Sequence, residues 1–362
     1  MFQRNFFLLI MLLGSIFIAG CGQDVTTSQA DMQTITDLAG NRVEVPKQVQ
    51  RIAVVPVPWA SVIFGVDGSG DKIIAMHPLA MTSYKSSILS KLAPKLASAD
   101  TSAIDNNFTV NIEELMKDKP DVVLLWDYQT ENDAKQKLAA LGVPSLMIHY
   151  GTLEDVQHGI QMLGTLLGKE DRAQELLQWQ KDIMAHVDQK QSVLANAPKP
   201  KVLYLQNESL SVAAADSVNR KMIAKAGGVC VSQDVPGQWK KVTMEQIAAW
   251  NPDIIIISNF TQMQPEAILQ NKLAGQDWSQ IAAVKNHRVY KAPQGLYRWD
   301  APCIETPLMM EWLGKVIQPK IFADVDLRAD IHDFYQNLLH YDLTPADTDE
   351  ILHSAVNAGL KL

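Results

Sequence analysis

One block of sequence occurs twice, and it restricts the fold more than any other feature. Asn111-Ile112-Glu113-Glu114-Leu115-Met116-Lys117-Asp118-Lys119-Pro120-Asp121 leads into Val122-Val123-Leu124-Leu125. Thr243-Met244-Glu245-Gln246-Ile247-Ala248-Ala249-Trp250-Asn251-Pro252-Asp253 leads into Ile254-Ile255-Ile256-Ile257. In both copies a glutamate stands seven residues before a Pro-Asp pair. Proline cannot continue a helix, Pro-Asp is turn chemistry, and an unbroken aliphatic run suits a strand covered on both faces. Each copy therefore predicts a short helix, a turn and a buried parallel strand. Their separation of 132 residues (243 − 111) predicts two similar α/β lobes.

The flanking sequence extends each lobe. Residues 51–55, 72–76 and 143–148 read as strands in the first half, with a helix over 132–141 before the last of them. Residues 201–205 and 288–292 read as strands in the second half, and a helix over 219–226 is stopped by Gly227-Gly228. Strands alternating with helices imply parallel sheets with covered faces. Between the halves, apolar residues recur at helical spacing over 153–167, and Gly168 closes that helix. A second helical pattern follows, carrying Ala173, Leu176, Leu177, Trp179, Ile183, Met184 and Val187. About 25 residues of helix would span roughly 37 Å, a strut rather than a jointed linker.

The N-terminus is different in kind. Arg4 precedes an apolar run over 6–18 that is too short for a comfortable membrane span and reads as a secretory signal. It ends in Ile18-Ala19-Gly20-Cys21, which resembles the lipobox of bacterial lipoproteins. Cys21 is therefore the expected lipidation site, with residues 1–20 removed and 21–33 a flexible tether. Cys230 and Cys303 lack zinc-site spacing and are expected to be free thiols. A formal charge of −8 and the lack of any basic tract argue against nucleic acid as a partner.

The order of several short motifs over the mature chain resembles the iron-complex, siderophore and vitamin B12 class of ABC-transporter substrate-binding proteins. They are Thr36-Asp37-Leu38-Ala39-Gly40-Asn41-Arg42-Val43-Glu44-Val45-Pro46, the two Pro-Asp blocks, Gly227-Gly228, Trp312-Leu313-Gly314-Lys315, Phe322-Ala323-Asp324-Val325-Asp326-Leu327 and Phe334-Tyr335. The resemblance implies an α/β fold of two Rossmann-like lobes joined by a single long helix. The lobes would run over 34–167 and 197–362, with the bridging helix over 168–196. It implies an extracytoplasmic, lipid-anchored monomer that binds a ligand in the interlobe cleft and serves an ABC permease and its ATPase. It also implies that a surface glutamate on each lobe, here Glu113 and Glu245, meets the permease.

In open α/β sheets, ligands bind beyond the carboxyl ends of the strands. That rule selects Pro58 and Trp59, His77, and Trp126 and Tyr128 in the first lobe. In the second it selects Asn207, Asn259 and Tyr297-Arg298-Trp299, with Trp239 in a loop that faces the same side. Aromatics give large rigid contact faces. Trp299 also matches a tryptophan at this place in the family. No second histidine or carboxylate is spaced to join His77, so it reads as a packed histidine and no protein-held metal is expected. No cofactor is expected either; the ligand would be an iron or cobalt complex. The chain has eight arginines, and only Arg298 stands at a strand end. That suits a weakly charged ferric siderophore, a corrinoid or a haem better than a triply anionic catecholate. The alternative is a small transition-metal chelate or oxyanion of nickel, cobalt or molybdate. An enzyme is not expected: Gly-x-Ser-x-Gly, a Walker loop and a Gly-x-Gly-x-x-Gly after a strand are all missing.

Overall fold

A computed structural model describes residues 31–127, 132–357, 359–360 and 362. The expectations for Cys21, the 1–20 leader, most of the tether and Tyr128 fall outside these residues.

The repeat folds as two equivalent corners. Asn111 Oδ1 accepts the Glu114 N–H at 3.1 Å, and Thr243 Oγ accepts the Gln246 N–H at 3.3 Å, so each short helix is side-chain capped. Lys119 (φ 46°) and Asn251 (φ 42°) turn the chain out through left-handed backbone just before the Pro-Asp pair. Asp121 then accepts the Gln50 and Arg51 N–H groups at 2.7 and 2.9 Å, while Asp253 accepts the Lys201 N–H at 2.8 Å. The basic residue at that same point closes the preceding helix: Arg51 Nε donates to the Asp118 and Lys119 carbonyls, and Lys201 Nζ to the Trp250 carbonyl. The aspartate in both copies thus sets the register of the entering strand against its neighbour.

Among the described residues twelve strands carry the fold: β1 (Met32–Thr36), β2 (Arg42–Pro46), β3 (Ile52–Val54), β4 (Ile73–Met76), β5 (Val122–Trp126), β6 (Ser145–Ile148), β7 (Lys201–Leu205), β8 (Ser211–Ala213), β9 (Val229–Cys230), β10 (Trp239–Lys241), β11 (Ile254–Ile257) and β12 (Val289–Lys291). The first lobe is a parallel sheet in the order β4-β3-β5-β6. The second runs β10-β8-β7-β11-β12, with β9 pairing the start of β7. Here the sequence reading was incomplete, because β8 and β10 join antiparallel. They are three residues each, too short to show a pattern. All residues of β5 and β11 are buried, as expected of strands covered by helices on both faces. The β1–β2 hairpin docks through Asp37, whose carboxylate accepts the Asn41 N–H at 2.8 Å and the Met147 N–H at 3.0 Å, beside the end of β6.

The strut is the helix Glu170–Gln189, 20 residues and so about 30 Å long, followed after Lys190 by the short helix Gln191–Asn196. Gly168 (φ 62°) ends the preceding helix Leu153–Leu167. One apolar core runs through both lobes and around the strut, holding Trp59, Leu176, Ile304, Trp312, Phe334 and Tyr335. A second core, around Leu203, Ile255 and Trp278, covers the other face of the second sheet. The lobes are packed directly together: Ile304 of the second lies so close to Gly65 of the first that a Cβ there would meet it at 2.3 Å. Cys230 and Cys303 are buried free thiols.

Candidate ligand-binding cleft

Strand order reverses between β3 and β5 in the first sheet and between β7 and β11 in the second. Crevices open at the carboxyl ends of such pairs. The two lobes bring these ends together. Gln294 Nε2, after β12, donates to the Ser83 carbonyl at 3.2 Å and to Ser86 Oγ at 3.1 Å, and Tyr150 OH, after β6, donates to the Pro302 carbonyl at 2.7 Å. Lys91 of the first lobe pairs with Asp347 and Glu350 of the second, at 2.7 Å to each.

The first lobe contributes a row of rings. His77 begins the helix Pro78–Lys85, and its Nδ1 accepts the Leu79 N–H at 3.0 Å. That uses the Nδ1 lone pair, so the neutral ring carries its proton on Nε2. Burial pushes its pKa down, opposed by the backbone and carboxylate of Asp105. Phe108 stacks on His77 with centroids 4.1 Å apart, Trp126 meets Phe108 edge-on at 6.2 Å, and Tyr150 tilts against Trp126 at 5.7 Å. Sequence reasoning missed two of these four. Tyr150 stands just past a strand end and the same rule would have found it. Phe108 sits in an irregular loop with left-handed backbone (φ 68°), which leaves no periodic signal.

The second lobe contributes the cation. Arg298 is 8% exposed, with its guanidinium carbon 4.5 Å from the centre of the Phe260 ring and 5.9 Å from that of Tyr297. Among the described residues it makes no ion pair, and its Nε has no hydrogen-bond partner. Behind it, Asp300 Oδ2 accepts from the Ser258 hydroxyl and, at 3.0 Å, from the Asn259 N–H, while its buried Oδ1 has no hydrogen-bond partner among the described residues. Lys291 holds the loop after β11 by donating to the carbonyls of Ser258, Thr261 and Met263 at 2.7, 2.7 and 3.2 Å, and burial pushes its pKa down to about 8. The loop carrying Arg298 is fixed from below by Glu305, which accepts the Leu296 N–H at 2.7 Å and the Tyr335 hydroxyl at 2.6 Å. Gly295 lies directly against that carboxylate; a Cβ there would come within 1.9 Å of Oε1. Phe260 and Leu79, at 45% and 41% exposure, put apolar surface at a strand end of each lobe.

Several expected cleft residues have other work. Trp59 and Trp299 are corrected: both indoles are fully buried in the core. Trp59 packs the tip of its ring against the helix Leu153–Leu167 at Gly159, where a Cβ would meet it at 1.9 Å. Pro58 is buried at the start of that tryptophan's helix, its carbonyl taking the Ser61 hydroxyl at 2.6 Å. Asn207 accepts the Ser209 N–H at 3.0 Å, shaping its own turn. Asn259 Nδ2 ties the ends of β11 and β12 by donating to the Ala292 and Pro293 carbonyls at 2.8 and 2.7 Å. Trp239 packs on Tyr204 at 6.3 Å and is partly buried. Tyr297 is 4% exposed beside Arg298. Glu113 and Glu245 are both exposed at the second position of their equivalent capped helices.

No helix among the described residues is long and apolar enough to cross a membrane. The chain is similar over nearly its whole length to proteins of one kind. A crystal structure of a periplasmic solute-binding protein from Veillonella parvula shares 50% of its residues and superposes with a TM-score of 0.87, covering 91% of this chain and 99% of that one. The molybdate-binding protein MolA of Haemophilus influenzae is 26% identical over 92% of this chain and 99% of its own length. The ABC-transporter substrate-binding lipoprotein YvrC of Bacillus subtilis is 24% identical over 87% and 97%. The periplasmic binding protein pattern itself matches residues 80–296, the stretch that runs from the helix after His77 to the loop before Arg298, and the chain belongs to that family.

Proposed function

We propose that this protein is the lipid-anchored, extracytoplasmic receptor of an ABC importer, and that it captures an anionic metal complex in the cleft between its lobes. One observation carries the charge of the ligand: Arg298 is a buried cation with no counter-ion among the described residues. A buried charge left unpaired costs several kcal/mol, which an arriving anion relieves. The rings of Phe108, Trp126 and Tyr150, backed by the fully buried His77, lie where they can meet the organic part of an anionic chelate such as a ferric siderophore or a haem. The ligand and its iron or cobalt are cargo, and no residue here is assigned to chemistry on them.

A second reading, a bare oxyanion such as molybdate, is favoured by the end-to-end similarity to MolA. A small nickel or cobalt chelate is of the same size class. Calorimetric titration of the full-length protein with molybdate, sulfate, ferric citrate, a ferric hydroxamate, haem and cobalamin separates these. Micromolar or tighter binding of an anionic metal complex supports the proposal, and binding of molybdate alone supports the second reading. Tight binding of an uncharged ligand alone overturns it.

The similarity to a substrate-binding lipoprotein supports lipidation at Cys21. Delivery would place Glu113 and Glu245, exposed at matching positions of the two lobes, against the permease. Reversing both charges should abolish uptake while leaving ligand affinity unchanged; intact uptake removes the docking assignment.

A further inference from the structure

Away from the cleft, three helices each send one ligating side chain to a common point. His186 comes from the strut Glu170–Gln189, Glu311 from the helix Thr306–Ile317, and Asp330 from the helix Leu327–Asp333. One ligand atom from each lies within 4.8 Å of the other two, and His186 Nδ1 stands 3.2 Å from Glu311 Oε1. From these observations we infer that His186, Glu311 and Asp330 form a divalent-metal site that clamps the strut to the second lobe.

Three features point to a cation there. Glu311 is completely buried, and its second oxygen, Oε2, has no hydrogen-bond donor. A buried carboxylate oxygen without a partner is costly, and the Asp330 carboxylate beside Glu311 adds to that cost, opposed in part by the charge of Lys315. The surroundings are acidic: Asp326 and Asp333 act on Asp330 and Asp324 acts on His186, while Lys190 is already paired with Asp324 and Lys315 donates to the Val325 carbonyl. The site is also reachable, because the His186 side chain is half exposed. One imidazole and two carboxylates suit zinc or a neighbouring first-row ion at about 2.0–2.2 Å, and water can complete the shell from the exposed side. Binding would draw the three atoms, now within 4.8 Å of one another, closer around one ion. The ion would replace the proton that the carboxylate pair otherwise has to share. It would brace the joint between strut and second lobe without touching ligand in the cleft.

The test uses full-length, tag-free protein in detergent, stripped with a chelator and titrated with zinc, nickel and manganese chlorides. The result expected is one zinc ion per chain at micromolar or tighter affinity, with a rise in melting temperature. His186→Ala, at a half-exposed position that tolerates truncation, and Asp330→Asn should each weaken zinc by more than the ~10–100-fold that loss of an outer-shell partner costs. Both should leave affinity for the transported ligand unchanged. Two results would overturn the site: no stoichiometric binding of any of the three ions, which leaves a shared proton as the occupant, or zinc affinity that survives His186→Ala.

Discussion

Replacing Arg298 with methionine separates a ligand-binding cation from a structural one. The stem of the side chain is kept and only the guanidinium is lost. In the free protein that group is 8% exposed, lacks an ion-pair partner and has an unpartnered Nε, and it is offset by the ring of Phe260 at 4.5 Å. Burying an unpaired charge costs several kcal/mol, and a cation–π contact returns about 0.5–2. Arg298→Met should therefore leave the ligand-free protein as stable as the wild type, or up to about 2 kcal/mol more stable. With ligand the sign reverses. Truncating one partner of a desolvated charge pair costs about 2–5 kcal/mol, or roughly 30- to several-thousand-fold in affinity. Urea unfolding of the free protein and calorimetric titration with ligand measure the two halves. If Arg298→Met destabilised the free protein by more than about 2 kcal/mol and kept wild-type affinity, Arg298 would be part of the scaffold.

Trp59→Ala removes a buried indole packed against Gly159 and should cost about 3–5 kcal/mol in urea unfolding while the folded fraction binds ligand normally; a selective loss of affinity would return Trp59 to the cleft. Gly295→Ala drives a methyl group into the Glu305 carboxylate and should cost about 1–3 kcal/mol and loosen the loop that carries Arg298, so wild-type stability would contradict the packing described. Glu305 gives a signature in pH. Burial raises its pKa to about 7, against the opposing hydrogen bonds from Tyr335 and the backbone of Leu296 and Tyr297. The folded state thus keeps a proton that the unfolded state gives up near pH 4.3, and this contribution to stability is full below that pH and is lost as pH rises through about 7. Relative to Glu305→Gln, the wild type should lose about 3 kcal/mol between pH 4 and pH 8; a pH-independent difference rejects the shift.

Local chemistry along the chain was enough to mark the two-lobed plan. Proline beyond the first turn ends a helix, an aspartate after it caps what enters, and four aliphatic residues in a row need cover on both faces; the pairs Pro120-Asp121 and Pro252-Asp253 therefore announce the same corner twice. The strut was legible because helical periodicity persists over 20 residues in Glu170–Gln189, and the strand-end rule singled out Arg298 as a candidate before any geometry was known. Which way a side chain faces was a different question. Trp59 and Trp126 look alike in sequence, each an aromatic at the end of a buried run, yet one packs against a glycine inside the first lobe and the other joins the ring row. Phe108 entered that row from a loop without pattern, and His186, Glu311 and Asp330 meet from positions far apart in the chain. Spacing along a helix or strand fixes a face only within that element. The absence of a Cβ at Gly159 and the packing of three helices at Glu311 are relations between elements, and only the folded arrangement decides them.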